Sequence, residues 1–276
     1  MPPWCGSTGM NDRAAGLAIR GLGQQTEKPA KASTQVADLA FVLHTWPWRE
    51  TSAIVEIFTR AHGRIGLVAK GAKRPKSAIR GVLQLFQPLH VQWFGKTDMK
   101  TLKSAEHVRF LPQLSGPALV SAFYLNELVM KLTHRDVPHE GVFEAYVESI
   151  EHLSAISLER NRRNEIAIVL RRFEIRFLRE LGYGLRLEEE ADTHAPIRAA
   201  ERYWFVADRG AMRVNMSAMQ EQDALQLRGK TLVDMADDDF RDPETLAESK
   251  LLMRTLIARM LGDKVIFSRA LMRETK

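Results

Sequence analysis

Residues Ala53-Ile-Val-Glu-Ile-Phe-Thr59 and Arg64-Ile-Gly-Leu-Val-Ala-Lys70, separated by a turn at Ala61-His-Gly63, decide how the N-terminal half is read. Both runs are rich in β-branched and aromatic side chains, which suit a packed pleated surface, so both read as strands. Upstream, Leu39-Ala-Phe-Val-Leu-His-Thr-Trp46 reads as another strand. Downstream, Gly71 to Gly81 reads as a loop, and Leu83 to Phe94 as a long fourth strand broken by Pro88. Gly95 to Asp98 then makes a turn, and Lys100 to Phe110 a fifth strand. Five short strands joined by tight turns predict a small barrel of the OB type, since closure removes the exposed edges of a sheet.

After Pro112 the apolar period becomes helical. Helices are predicted over Ala118 to Thr133, Val142 to Leu153 and Asn164 to Leu181, the last followed by Gly182 in a capping position. Arg202 to Val214 reads as a small hairpin around Asp208-Arg209-Gly210, and Thr245 to Leu261 as a last long helix before Gly262. The fold class predicted is α+β: an N-terminal five-stranded OB-type β-barrel over 36–112, then a mainly α-helical domain over 113–276 with a small β-hairpin near 202–214. Residues 1–35, rich in Gly, Pro, Ala, Thr and Lys, show no sustained period. They read as a flexible extension, or as translation begun upstream of Met10, in preference to a transit peptide around Arg13 and Arg20.

The chain of 276 residues carries a net charge of +6, and the position of that charge is informative. Lys70, Lys73, Arg74, Lys76 and Arg80 fall in a segment without an acid. Arg49, Arg60, Arg64, Lys96, Lys100, Lys103 and Arg109 bring the barrel to twelve cations, against the five acids Asp38, Glu50, Glu56, Asp98 and Glu106. The remainder is therefore near neutral. A phosphate backbone rewards such clustering, because each neutralised phosphate releases counterions. The competing reading is a solvated loop that only keeps the protein soluble.

Six aromatics accompany the charge. Phe41, Phe58 and Phe86 read as core, and Trp93 also lies in a strand. Trp46 and Trp48 flank Pro47 near a strand end, where base stacking and core packing stay equally open. The single cysteine, Cys5, excludes a disulfide framework and a Cys-rich zinc site, and fits a reducing cytoplasmic setting. No apolar run is long enough to cross a membrane as a helix. The eight histidines show no paired ligand spacing, and neither a P-loop nor a nucleophile elbow occurs. The acid runs Glu188, Glu189, Glu190 and Asp237, Asp238, Asp239 read as solvated surface or a helix start, with a magnesium-dependent nuclease as the lesser reading. The residues therefore point to a binding protein that needs no catalytic group and no cofactor. Arg171, Arg172, Arg176 and Arg179 read as the polar face of an amphipathic helix, an edge that an acidic, apolar peptide could also use.

Several segments in order resemble the RecO family of recombination mediators. They are Phe41-Val-Leu-His-Thr-Trp-Pro-Trp-Arg-Glu-Thr-Ser52, Phe58-Thr-Arg60, His62-Gly-Arg64 and Val68-Ala-Lys-Gly-Ala-Lys-Arg74, followed by Lys76-Ser77. Leu83-Gln-Leu-Phe-Gln-Pro-Leu89 and Lys100-Thr-Leu-Lys-Ser-Ala-Glu106 continue the series. In the helical part Tyr124-Leu-Asn-Glu-Leu128, Leu170-Arg-Arg-Phe-Glu174, Leu181-Gly-Tyr-Gly184, Met260-Leu-Gly-Asp-Lys264 and Ser268-Arg269 follow. The resemblance spans about residues 38 to 270. It implies an N-terminal OB domain, a helical domain and, in some members, a zinc element; the four cysteines of that element are missing here, so no metal is expected. It implies binding of single- and double-stranded DNA, annealing of complementary strands, and loading of RecA with RecR in a nucleoid-associated role. It also implies recognition of the acidic C-terminal tail of single-stranded DNA-binding protein (SSB). Carried over, Lys70, Lys73, Arg74, Lys76 and Arg80, with Arg60, Arg64, Lys100 and Lys103, are the DNA-contact candidates. Arg171, with Arg172 beside it, is the candidate for the SSB-tail carboxylate. Another OB-type binder, of structured RNA, is the main alternative.

Overall fold

The computed structural model describes residues 35–158, 162–214 and 224–274. All of the N-terminal extension except Gln35 lies outside these residues. Strands β1 (Val36–Trp48), β2 (Ser52–Thr59), β3 (Gly63–Ala69), β4 (Leu89–Phe94) and β5 (Met99–His107) close into a barrel in the order β1-β2-β3-β5-β4. Helix α1 (Ala78–Val82) lies between β3 and β4. Neighbours are antiparallel except β3 and β5, which run parallel. The long β1 serves two partners, with Val36 to Ala40 on β4 and Ala40 to Trp48 on β2, and its register shifts between Val42 and His44. This is the OB-type barrel.

The two-residue period of a strand sends alternate side chains to opposite faces. Ala40 and Val42 of β1, and Val55 and Ile57 of β2, fill the barrel with Leu67, Leu89, Val91 and Trp93. Phe41, Leu43 and Phe58 point the other way and join the core of the helical region. Both faces are buried, which is why these strands read as continuous apolar runs.

The helical region comprises α2 (Gly116–Leu132), α3 (Glu140–Ile156), α4 (Arg163–Glu180), α5 (Gly229–Ala236), α6 (Pro243–Leu261) and α7 (Ser268–Glu274). Between α4 and α5 strands β6 (Arg202–Val206), β7 (Gly210–Arg213) and β8 (Leu225–Arg228) form a three-stranded sheet. Phe41 meets Tyr146 of α3 at a ring-centroid distance of 5.4 Å, and Phe58 meets Phe143 at 5.3 Å, both edge to face. This aromatic seam joins barrel to helices. Gly182, at φ +82°, follows α4 in the capping position read from the sequence.

Several boundaries differ from the sequence reading. The fourth strand begins at Leu89, not Leu83: Phe86 sits at φ +63°, a conformation a strand cannot hold. The fifth strand ends at His107, and the loop from Gly71 to Gly81 contains the start of α1. The predicted hairpin gains β8 as a third strand. Of the acid runs, Glu188, Asp237 and Asp238 are exposed as read, whereas Glu190 is buried, and Asp237 caps the C-terminal end of α5.

Candidate nucleic-acid interface

Beyond β3 the chain is held by main-chain turns. Gly71 takes φ +71°. Arg74 N donates to Gly71 O at 3.1 Å, Ser77 N to Arg74 O at 3.0 Å and Arg80 N to Ser77 O at 3.2 Å. Lys73 N donates to Thr51 O at 2.9 Å, tying the segment to the β1–β2 turn. The peptide groups are thus spent on one another, and Lys70, Lys73, Arg74, Lys76 and Arg80 project as exposed side chains. Among the described residues no carboxylate pairs with any of these five cations. Lys73 Nζ has only a distant contact, 3.5 Å, with Arg49 O.

The other four DNA-contact candidates are engaged elsewhere. Arg60 Nε and Nη2 donate to Glu140 and Glu144 of α3 at 2.8 and 3.0 Å. Arg64 Nη1 donates to the buried Glu56 at 2.8 Å and Nη2 to Thr133 O at 2.9 Å. Arg135 completes this cluster, reaching both carboxylate oxygens of Glu56 at 3.0 and 2.5 Å. Burial, followed by the neighbouring Arg135 charge, pulls the Arg64 guanidinium below its ordinary value although Glu56 opposes the shift. Lys100 pairs with Asp136, and Lys103 donates to Gln35. Arg60, Arg64 and Lys100 therefore bind the barrel to the helical region, and the unpaired charge gathers on the segment from 70 to 80.

That segment is tied to the turn that follows Trp46 and Trp48, the aromatics left open by the sequence. Trp46 and Trp48 are 37% and 43% exposed, and Arg49 lies 5.9 Å from the Trp48 ring centroid. Phe41, Phe58 and Phe86 are core. At the barrel end a groove of about 420 Å³ is lined by Thr45, Ala53, Ala72, Leu83 and Leu85, with Lys73 and Arg80 also at its wall. Sequence reasoning does not find this groove, because its lining comes from four separated segments.

On α4 the structure separates the two tail candidates. Arg171 is only 5% exposed, and its Nη2 lies 2.7 Å from Glu174 Oε2. Tyr124 donates to Glu174 Oε1 at 2.7 Å. Arg171 Nε and Nη1 have no hydrogen-bond partner among the described residues. Burial pushes the Glu174 carboxyl upward against the opposing pull of Arg171. Arg172 is exposed and donates to Asp238 at 2.9 Å, in a basin also lined by Asp234, Asp237 and Asp239. The helix face read as polar from its spacing is thus divided: Arg171 lies inside, and Arg172 sits among aspartates.

The family model for the recombination protein O N-terminal region matches residues 34–111, and that for the C-terminal region matches residues 113–265. A DNA repair protein RecO of Aromatoleum aromaticum is 46% identical over 235 residues, 85% of this chain and 94% of its own length. The protein of the same name from Nitrosospira multiformis is 43% identical over 240 residues, 87% of this chain and 96% of its own. That of Polynucleobacter asymbioticus is 44% identical over 247 residues, 89% and 99% of the two chains. The barrel, the helices behind it and these likenesses along nearly the whole length agree: the chain belongs to the recombination protein O (RecO) family of DNA repair proteins.

Proposed function

We propose that this protein is a non-enzymatic mediator that binds single- and double-stranded DNA, anneals complementary strands and, with RecR, helps load RecA onto SSB-coated single strands. The observation that carries the reading is the set of five exposed cations, Lys70, Lys73, Arg74, Lys76 and Arg80, which have no carboxylate partner among the described residues. Cations already paired gain little from a phosphate; unpaired ones neutralise it and release its counterions. Screening of one bound strand lowers the repulsion felt by a second, so annealing follows from charge and positioning without covalent chemistry. Replacing Lys73, Arg74 and Lys76 by Ala together is expected to weaken DNA binding. The slope of log affinity against log salt should fall by about 0.7 per lost phosphate contact on a single strand. An unchanged slope removes the segment from the interface. Incubation with labelled DNA and magnesium is expected to yield no cleavage, and competition by structured RNA tests the rival binder.

For the SSB tail the proposed contact is Arg171, whose Nε and Nη1, without a partner among the described residues, would donate to a tail carboxylate. The aspartates around Arg172 repel an acidic peptide, which argues against that residue. Titration of Arg171→Ala with a fluorescent tail peptide should show weakened binding; undiminished affinity excludes Arg171.

A further inference from the structure

We propose that the groove at the barrel end seats one unstacked base of a single DNA strand, with the neighbouring phosphates held by Lys73 and Arg80. The inference rests on the reading that the 70–80 segment binds DNA, and it assigns to that site a means of telling one strand from two.

The floor is apolar. Ala53 and Ala72 are buried, Leu83 and Leu85 are half-buried, and together with Thr45 they leave a depression of about 420 Å³. The cations stand at its wall, and the chain from Lys70 to Thr97 contains no Asp or Glu. An apolar depression bounded by positive charge matches a strand, in which flat apolar bases alternate with anionic phosphates. It matches an acidic peptide less well, since the floor is continuous with the barrel interior and, apart from the Thr45 hydroxyl, offers peptide groups no hydrogen-bonding side chain. Phosphate contacts alone bind one strand or two, whereas a free base face is available only when the partner strand is absent. Trp46 and Trp48 alternate with Thr45 along β1 and pair with Ile54 and Ser52, so they lie on the other face of the strand and the seat is the groove alone.

The groove can be filled without replacing any cation of the basic segment. Thr45 is exposed, so Thr45→Trp places a ring in the depression at little cost to folding. Leu83→Asn makes the floor polar instead and controls against the new indole acting as a stacking platform. Affinities of the full chain and both variants are measured for a short single strand and for the corresponding duplex at two salt concentrations. Each variant should bind the single strand on the order of tenfold more weakly, with duplex affinity and both salt slopes unchanged. Wild-type affinity for the single strand in both variants overturns the proposal, as does an equal fall on strand and duplex. Failure of the underlying reading looks different: the Lys73, Arg74 and Lys76 triple replacement would then leave every salt slope as it is in the unaltered chain.

Discussion

The side-chain amide of Asn126, on α2, donates to the main-chain carbonyl of Leu43 at 2.8 Å, at the point where the β1–β2 register shifts. A bulge leaves backbone groups without their ladder partners, and here a helix supplies one. The same residue accepts from Tyr146 at 2.6 Å, so three elements meet at one amide. Asn126→Ala strands a buried carbonyl and a buried hydroxyl. At roughly 1–3 kcal/mol for each unsatisfied group, urea unfolding should show a loss of about 3 kcal/mol. Tyr146→Phe, which removes only the hydroxyl, should cost clearly less. Equal losses in the two variants would refute this account of the bulge.

Glu56 offers a second test. Its carboxylate is fully buried between Arg64 and Arg135. Breaking such a pair from one side leaves charge uncompensated, at about 3–5 kcal/mol. Glu56→Ala should lose stability on this scale by denaturant unfolding. Arg64→Ala should also be destabilising while leaving the salt slope of DNA binding unchanged, because this cation binds the protein itself. A reduced slope with intact stability would return Arg64 to the interface.

Glu190 links Thr193, Tyr203 and Arg213 in the three-stranded sheet, with Arg213 Nη2 at 2.7 Å. The Thr193 hydroxyl, helped by Arg213, holds its carboxyl below the usual carboxylate range. The folded pKa is thus depressed relative to the unfolded one. The stabilisation is present above the unfolded value, near about 4.3, and is lost as pH falls through the folded value. Unfolding midpoints at pH 7, 5, 4 and 3 should converge for the unaltered chain and Glu190→Gln as acid is added. A constant gap between them would exclude this linkage.

Gly63 turns β2 into β3 at φ +68°, and a Cβ there would lie 2.0 Å from Val137 O. Left-handed backbone alone costs a side chain roughly 1–2 kcal/mol, and the clash with backbone adds to it. Gly63→Ala should lower the melting temperature by several degrees; an unchanged value would mean that the turn and the chain beyond α2 move apart freely.

The barrel was legible because strand-length runs of Val, Ile, Leu and Phe carry their period with them. Helices α2, α3, α4 and α6 were legible for the same reason. Short elements were not. The five residues of α1 include Gly81 and lack a capping side chain, and α5 and α7 were missed as well. The basic segment could be found by composition. Which cations remain unpaired could not, since the partners of Arg60, Lys100 and Arg135 lie 36 to 84 residues away along the chain. The Glu174 that pairs with Arg171 stands three residues on in the sequence. Only the packing of α2 and α4 shows that both are inside.

The edge-to-face contacts of Phe41 and Phe58 with α3 also govern mechanics. The barrel shares its outer wall with the helical core. On the proposed reading, a strand held at 70–80 and a peptide docked on the helices would both be presented from this one core, like two workpieces in one jig. Under the proposed function, bringing complementary strands together would then draw on the slack of the nucleic acid or on a second copy of the protein.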